Sequence, residues 1–174
     1  MSKIYIGFSC PKHFSIGSYS IKTWIREQYS HVYLRFESTN QEIPTTVYHA
    51  ANGMVHFKPF LKFKEDNSVI KEYCVTLPEE HRIKTLSDCM WLSGEKYGYK
   101  ELITILFYDI AYYFGKKLET YDGAGYICSE LVATLLINRL GLKFGKPAYL
   151  LKPNCVDKKL QEEYLKNGLI YGTT

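Results

Sequence analysis

Apolar and polar residues alternate in several short segments of the chain, with the period of two that is typical of a strand buried on one face. The clearest segment begins at His31: Val32, Leu34 and Phe36 fall on one face, whereas His31 falls on the other, more polar face. The same alternation recurs elsewhere. It predicts strands over Met1–Phe8, His31–Glu37, Val47–Phe57 and Val69–Leu77.

A hairpin is predicted within Val47–Phe57, because Asn52-Gly53 is a preferred pair for a two-residue turn between strands. The turn fixes the register and sets His49 directly opposite His56. Side chains of directly opposed residues share a face of the sheet. We therefore expect these two histidines to be neighbours.

The pattern changes to a helical period after Pro78, where Ile83, Leu86 and Met90 follow a helical stripe. Other segments share that period. We predict helices over Ser18–Tyr29, from Pro78 to Tyr97-Gly98, and over Lys100–Phe114, Tyr126–Leu140 and Cys155–Asn167. Because most strands precede most helices, the order predicts an α+β fold. The length of the chain, 174 residues, suits one domain spanning residues 1–174.

Composition narrows the class of protein. Apolar residues make up 46% of the chain, enough for a packed core, and the net charge of +4 is mild. Lys and Arg are scattered rather than clustered, so we expect no nucleic-acid partner.

The five cysteines are odd in number and contain no C-x-x-C pair, so neither a disulfide framework nor a zinc ribbon is indicated. The first residues, MSKIYIGFSCPKHF, lack the apolar stretch of a secretory signal. The most apolar stretch, Leu102 to Phe114, is too short to cross a bilayer. These features predict a cytoplasmic protein with no transmembrane segment.

Cys128 is the strongest candidate for chemistry. It follows Gly123-Ala124-Gly125 and lies two or three residues into a predicted helix. A helix N-terminus offers unpaired N–H groups and partial positive charge, which favour thiolate over thiol and can hold an oxyanion. The alternative is that Cys128 is a small buried apolar residue.

A thiolate nucleophile needs a base, and histidine is the commonest one. His13 and His81 lie in segments expected at the surface, whereas His31, His49 and His56 lie on predicted strands. Three histidines on neighbouring strands favour a catalytic site.

Three short motifs occur in a characteristic order: Tyr29-Ser30-His31-Val32, then Val47-Tyr48-His49-Ala50, then Cys128-Ser129-Glu130-Leu131. This order resembles the circularly permuted branch of the NlpC-type papain-like cysteine hydrolases. The resemblance spans roughly residues 3 to 135 and includes an aromatic segment ending in Lys96-Tyr97-Gly98-Tyr99. It implies a permuted papain-like fold, with an antiparallel sheet packed against helices.

The resemblance also implies roles: Cys128 matches the nucleophile, His31 the base, and His49 the third residue, which orients the base. Permuted members often have Glu at the third position, so His49 departs from their pattern. Glu37 shares a face with His31 but lies too far along the strand to orient it in place of His49. One of the 16 tyrosines could join the Cys128 N–H as a second oxyanion donor.

The implied reaction is cleavage of an amide bond in a peptide or acyl-amide substrate, for example a cell-wall peptide, without a metal or cofactor. Compact permuted members without a signal resemble proteins of tailed bacteriophages, which would place the chain in the virion or the host cytoplasm. Three alternatives stay open: a thioesterase or lipid acyltransferase, a metal site formed by His31, His49 and His56, and a non-catalytic binding module.

Overall fold

The computed structural model describes residues 2–12, 29–38, 42–51, 53–98, 114–115, 125–167 and 170–173. The strands are β1 (Ser2–Pro11), β2 (His31–Phe36), β3 (Thr46–Ala51), β4 (Met54–Pro59), β5 (Asn67–Leu77) and β6 (Ile170–Thr173). The helices are α1 (Phe60–Asp66), α2 (Glu79–Trp91), α3 (Cys128–Leu140) and α4 (Pro153–Asn167), with a 3-10 turn at Ala148–Leu150.

The strands form a single six-stranded sheet in the order β4-β3-β2-β1-β5-β6. Every neighbouring pair is antiparallel. Most strand connections therefore join neighbours in the sheet, and helices follow the main run of strands. This arrangement confirms the predicted α+β class.

The two faces of the sheet carry different side chains. One face bears the main apolar core, in which Ile6, Val32 and Leu34 pack with buried residues of α2, α3 and α4. The opposite face bears a smaller cluster, in which Tyr33 and Val47 pack against Phe63 of α1. Alternation along β2 separates these two sets, as the sequence pattern predicted.

The smaller face also holds a partly buried ion pair. Arg35 donates two hydrogen bonds to the carboxylate of Glu72, at 2.8 and 2.7 Å, and lies 3.7 Å above the centre of the Tyr5 ring. The hydroxyl of Tyr33 donates to the same carboxylate at 2.9 Å. This network holds the Tyr33 ring in place beneath α1.

The hairpin is confirmed in register: His49 pairs with His56, and Gly53 adopts a φ of +89° in the turn. The end of the α3 helix is confirmed as well, because Gly141 caps it with a left-handed φ of +65°. Strands β1, β2 and β5 begin or end within a few residues of their predicted limits.

Of the three residues in the apolar stripe of α2, Leu86 packs against the core and the other two do not. Ile83 and Met90 are exposed, whereas Thr85 and Cys89 are the buried residues. The small side chains at 85 and 89 let the helix lie close to the core, and the Thr85 hydroxyl is satisfied by the His81 carbonyl at 2.8 Å. The helix also ends at Trp91, well before Gly98, because the chain turns at residues 92–94.

Helix α1 and strand β6 were not predicted. The helices predicted over Ser18–Tyr29 and Lys100–Phe114 lie outside the described residues, except for Tyr29 and Phe114. Among the helices that the structure describes, none combines the length and apolar character needed to cross a bilayer.

Replacing Gly7 by Ala should destabilise the fold by about 1–3 kcal/mol, the usual cost of forcing extra volume into a packed region. A Cβ at Gly7 would overlap the ring of Tyr33, which is fully buried and hydrogen-bonded to Glu72. Urea unfolding would measure the loss. Gly145→Ala is the matched control, since no atom lies within 4 Å of its added Cβ. Equal stabilities for the two variants would contradict this packing argument.

Candidate active site

His31 and His49 are joined by a hydrogen bond. His31 is the first residue of β2, His49 lies on the neighbouring strand β3, and the Nε2 of His31 is 3.0 Å from the Nδ1 of His49. Their ring centres are 5.1 Å apart, with the planes nearly perpendicular. Because Nε2 of His31 is engaged, its Nδ1 is the nitrogen left to face a reactant.

Phe63 of α1 packs against this pair. Its ring centre is 6.2 Å from that of His31 and 5.3 Å from that of His49. His56 on β4 lies next to His49, with its ring centre 4.6 Å from that of His49. We call His31, His49 and His56 the histidine row. The sequence did contain a signal for α1, because Pro59 precedes two phenylalanines three residues apart, Phe60 and Phe63.

Both histidines of the pair are neutral at physiological pH. Burial, with a smaller contribution from His56, lowers the pKa of His31 to about 4. Burial, followed by the charges of His31 and His56, lowers the pKa of His49 to about 2. A neutral imidazole has a free lone pair and can accept a proton, although burial makes both rings weaker bases than an exposed histidine.

Hydrogen bonds fix the chain where β2 begins. The Ser30 N–H donates to the Ser9 carbonyl at 3.3 Å, and the Tyr29 hydroxyl donates to the buried carboxylate of Asp157 on α4. Asp157 also accepts from Lys71 and Tyr73 on β5, at 2.7 and 2.5 Å. Although burial opposes it, these hydrogen bonds hold the pKa of Asp157 below its usual value. The backbone leading into His31 is therefore tied to both β1 and α4.

Cys128 is buried and is the first residue of α3, rather than the second or third as the sequence predicted. Glu130 lies in the first turn, where its carboxylate accepts from the Ile127 N–H at 3.4 Å. The Ser129 hydroxyl donates to the Leu151 carbonyl at 2.5 Å. The start of α3 is thus held by a side chain of its own first turn and by the chain before α4.

Backbone hydrogen bonds bring the start of α3 to the histidine end of the sheet. The Tyr97 N–H donates to the Gly53 carbonyl at 3.0 Å, and the Tyr126 N–H donates to the Lys96 carbonyl at 2.9 Å. A Cβ at Gly125 would lie 2.8 Å from the Cα of Gly98, so this approach depends on glycine. Sequence reasoning missed that role of the two glycines.

The structure brings the three predicted site residues together only in part. His31 and His49 are in direct contact, on the face that Phe63 covers. Cys128 belongs to the core of the opposite face, with Val32. Cys128 and the histidine pair therefore share one end of the sheet but lie on different faces, and a Cys128–His31 contact stays a prediction.

The metal alternative receives no support from the described ranges, in which no group of three or more His, Cys, Asp or Glu residues is placed to hold a metal ion. Glu37 pairs with Arg35 at 2.9 Å, beyond the far end of β2. It is therefore not the partner of His31.

Comparisons with known proteins inform the fold alone. No protein-family model and no curated protein sequence matches the chain. A solved structure, that of the metalloprotein yiiX from Escherichia coli O157:H7, aligns with a TM-score of 0.57 and 20% sequence identity. The alignment covers 99% of this chain and 88% of that protein. The chain thus has an α+β fold similar to that of yiiX.

The buried histidines should make stability depend on pH. The pKa of His31 falls from 6.5 to about 4 on folding, so the unfolded chain binds more protons in that window. The free energy of unfolding should be highest above about pH 6.5 and should fall by about 1–3 kcal/mol towards pH 4. A pKa difference of one unit corresponds to about 1.4 kcal/mol. Urea unfolding at several pH values would measure this slope.

His49→Gln should reduce the slope, because Gln cannot titrate and its carbonyl can still accept from His31. His81→Gln, on the exposed surface of α2, is the control and should leave the slope unchanged. The same slope in all three proteins would rule out the buried pair as its cause.

Proposed function

We propose that the protein is a cysteine hydrolase of the amidase type, with Cys128 as nucleophile, His31 as base and His49 as the residue that orients the base. The observation that carries this proposal is the hydrogen bond between His31 Nε2 and His49 Nδ1. It fixes a neutral base at the sheet end where α3 begins with a cysteine.

The first half of the reaction acylates the enzyme. His31 Nδ1 accepts the proton of the Cys128 thiol, and the sulfur attacks the carbonyl carbon of the amide. The backbone N–H groups at the start of α3 are the available donors for the oxyanion. The carbon–nitrogen bond then breaks, and His31 returns its proton to the departing amine.

The second half releases the acid. His31 accepts a proton from water, the hydroxide attacks the thioester, and the sulfur leaves and regains the proton. The lowered pKa makes neutral His31 a weaker acceptor of the thiol proton, whereas it makes the protonated ring a stronger donor to the departing amine. His49 keeps the ring orientation through both halves.

The proposal requires the His31 ring and the Cys128 sulfur to meet at their shared end of the sheet. His31 is the first residue of β2, and its ring contacts His49 and Phe63 on the face opposite Cys128. Catalytic hydrogen bonds commonly tighten only when substrate is bound. The proposal therefore stands only if the two side chains, which lie on different faces of the sheet here, meet in the substrate complex.

The substrate class we propose is a peptide or acyl-amide, such as a cell-wall peptide, cleaved in a cytoplasmic setting. The resemblance of the three motifs to permuted NlpC-type hydrolases supports this choice, and the yiiX-like fold is compatible with it. Thioester and ester hydrolysis would use the same residues, and acyl transfer would replace water by another acceptor. Matched amide, thioester and ester substrates with one acyl group would rank these activities.

Removing the nucleophile should abolish turnover. Cys128→Ala should lower the hydrolysis rate by about 10³-fold or more, as loss of a covalent nucleophile usually does. Release of a fluorescent amine from a peptidyl amide, with and without a metal chelator, would measure the rate. Cys155→Ala is the matched control, since Cys155 is the partly exposed cysteine of α4.

Full activity in Cys128→Ala would refute the assignment, whereas full activity in Cys155→Ala is expected. Iodoacetamide labelling read by intact mass adds a test without substrate. Cys128 should label faster than Cys155 at neutral pH, and His31→Gln should slow it. A Cys155 that labels faster than Cys128 would contradict an activated thiol at the start of α3.

The loss of activity on the acid side of the pH profile should occur at a lower pH than for an ordinary histidine base. Because the reaction needs neutral His31, kcat/KM should fall only as the pH drops towards about 4, the lowered pKa of His31. A substrate without ionisable groups is required, and activity should return when the sample is brought back to neutral pH. A fall centred at or above 6.5, the ordinary pKa of histidine, would show that buried His31 is not the base.

A further inference from the structure

The Nε2 of His49 is a buried nitrogen that lacks a hydrogen-bond partner among the described residues. His49 is only 4% exposed, and its other nitrogen is occupied by His31. Buried polar atoms in native proteins almost always have a partner, and ordered water often supplies it. The orphan nitrogen therefore indicates a further component of this site.

His56 is the polar ring next to that nitrogen. Its ring centre is 4.6 Å from that of His49, and its Nδ1 lies 3.4 Å from the Met54 carbonyl oxygen. A carbonyl oxygen only accepts, so Nδ1 of neutral His56 carries the hydrogen. Its Nε2 then has a free lone pair and is an acceptor.

We propose that one ordered water joins the Nε2–H of His49 to the Nε2 of His56, so that His56 sets the tautomers of the whole histidine row. The water accepts from His49 and donates to His56. His49 then has its lone pair on Nδ1 and accepts from the Nε2–H of His31. The Met54 carbonyl, at the outer end of the row, thereby sets the direction of every hydrogen bond in it.

The direction matters because the opposite one would disable the base. If the Nδ1–H of His49 donated to Nε2 of His31, neutral His31 would carry its hydrogen on Nδ1 and could not accept a proton there. In the proposed direction, Nδ1 of His31 holds the lone pair. His56 is thus a positioning residue that acts through His49. This catalytic consequence rests on the proposed function, whereas the tautomers do not.

The surroundings favour neutral rings. Burial lowers the pKa of both His31 and His49, and the charge of Lys58 on β4 contributes to the shift of His49. Lys58 is itself paired with Asp66 of α1 at 2.5 Å. Phe63, the residue of α1 that contacts both rings, is apolar.

Nitrogen-15 NMR of the intact protein at neutral pH tests the proposal directly, because it reports which ring nitrogen carries hydrogen. We expect Nε2–H for His31 and His49, and Nδ1–H for His56. Hydrogen on Nδ1 of His31 or His49 in the unaltered protein would overturn the proposal. This measurement needs no substrate and no variant.

Two variants test the role of His56. His56→Phe removes the acceptor and should reduce the population of the Nε2–H tautomer at His31 by about threefold to tenfold, the range that one net hydrogen bond provides. His56→Gln, whose side-chain oxygen can accept the same water, should restore it. His81→Phe on the surface of α2 is the control. An unchanged tautomer in folded His56→Phe would refute the role of His56.

Cys128 labelling and hydrolysis separate this proposal from the proposed function. Both rates should fall with the tautomer population in His56→Phe and recover in His56→Gln, with the loss in kcat rather than KM. If the tautomers respond as expected while Cys128→Ala stays active, the hydrolase assignment fails and the histidine row stands. If Cys128→Ala is inactive and the tautomers ignore residue 56, the row fails alone.

Discussion

The pairing of β2 with β3 is the interaction on which the candidate site depends. Leu34 lies opposite Tyr48 in this antiparallel pair, and that register sets the histidines of the two strands within hydrogen-bond reach. A slip of one residue would move every side chain of β2 to the other face and separate the histidines. The apolar face prevents such a slip, because it would expose Val32 and Leu34. Core packing and site geometry therefore have one cause.

One face of the sheet holds most of the apolar core, and the other holds the candidate histidines. The apolar face packs against three helices, whereas the other face holds buried polar groups that satisfy one another, such as Arg35 with Glu72. The histidine row occupies the end of this second face beneath Phe63. Burial holds His31 and His49 neutral, so no buried carboxylate is needed beside His31.

Several parts of the fold were open to prediction because they follow from local rules. Alternation located β2, and Asn52-Gly53 set the His49–His56 register without any knowledge of the rest of the chain. The α2 helix shows the limit of such rules. Ile83 and Met90 have helical spacing, yet the face that packs is the one with Thr85 and Cys89, because close approach to the core favours small side chains. Only the shape of the partner surface decides between two such faces.

By itself, the sequence determined the α+β class, the strands that carry the histidines and the helix that starts near Cys128. These features depend on residues close together in the chain, whose periodicity and turn chemistry act locally. Only the tertiary structure decided that His31 and His49 share a hydrogen bond, that Phe63 buries them, and that Cys128 reaches their end of the sheet from the opposite face. Those facts depend on contacts between distant segments, such as the approach of Gly125 to Gly98. Local patterns carry no information about such contacts, because they arise only when the segments pack together.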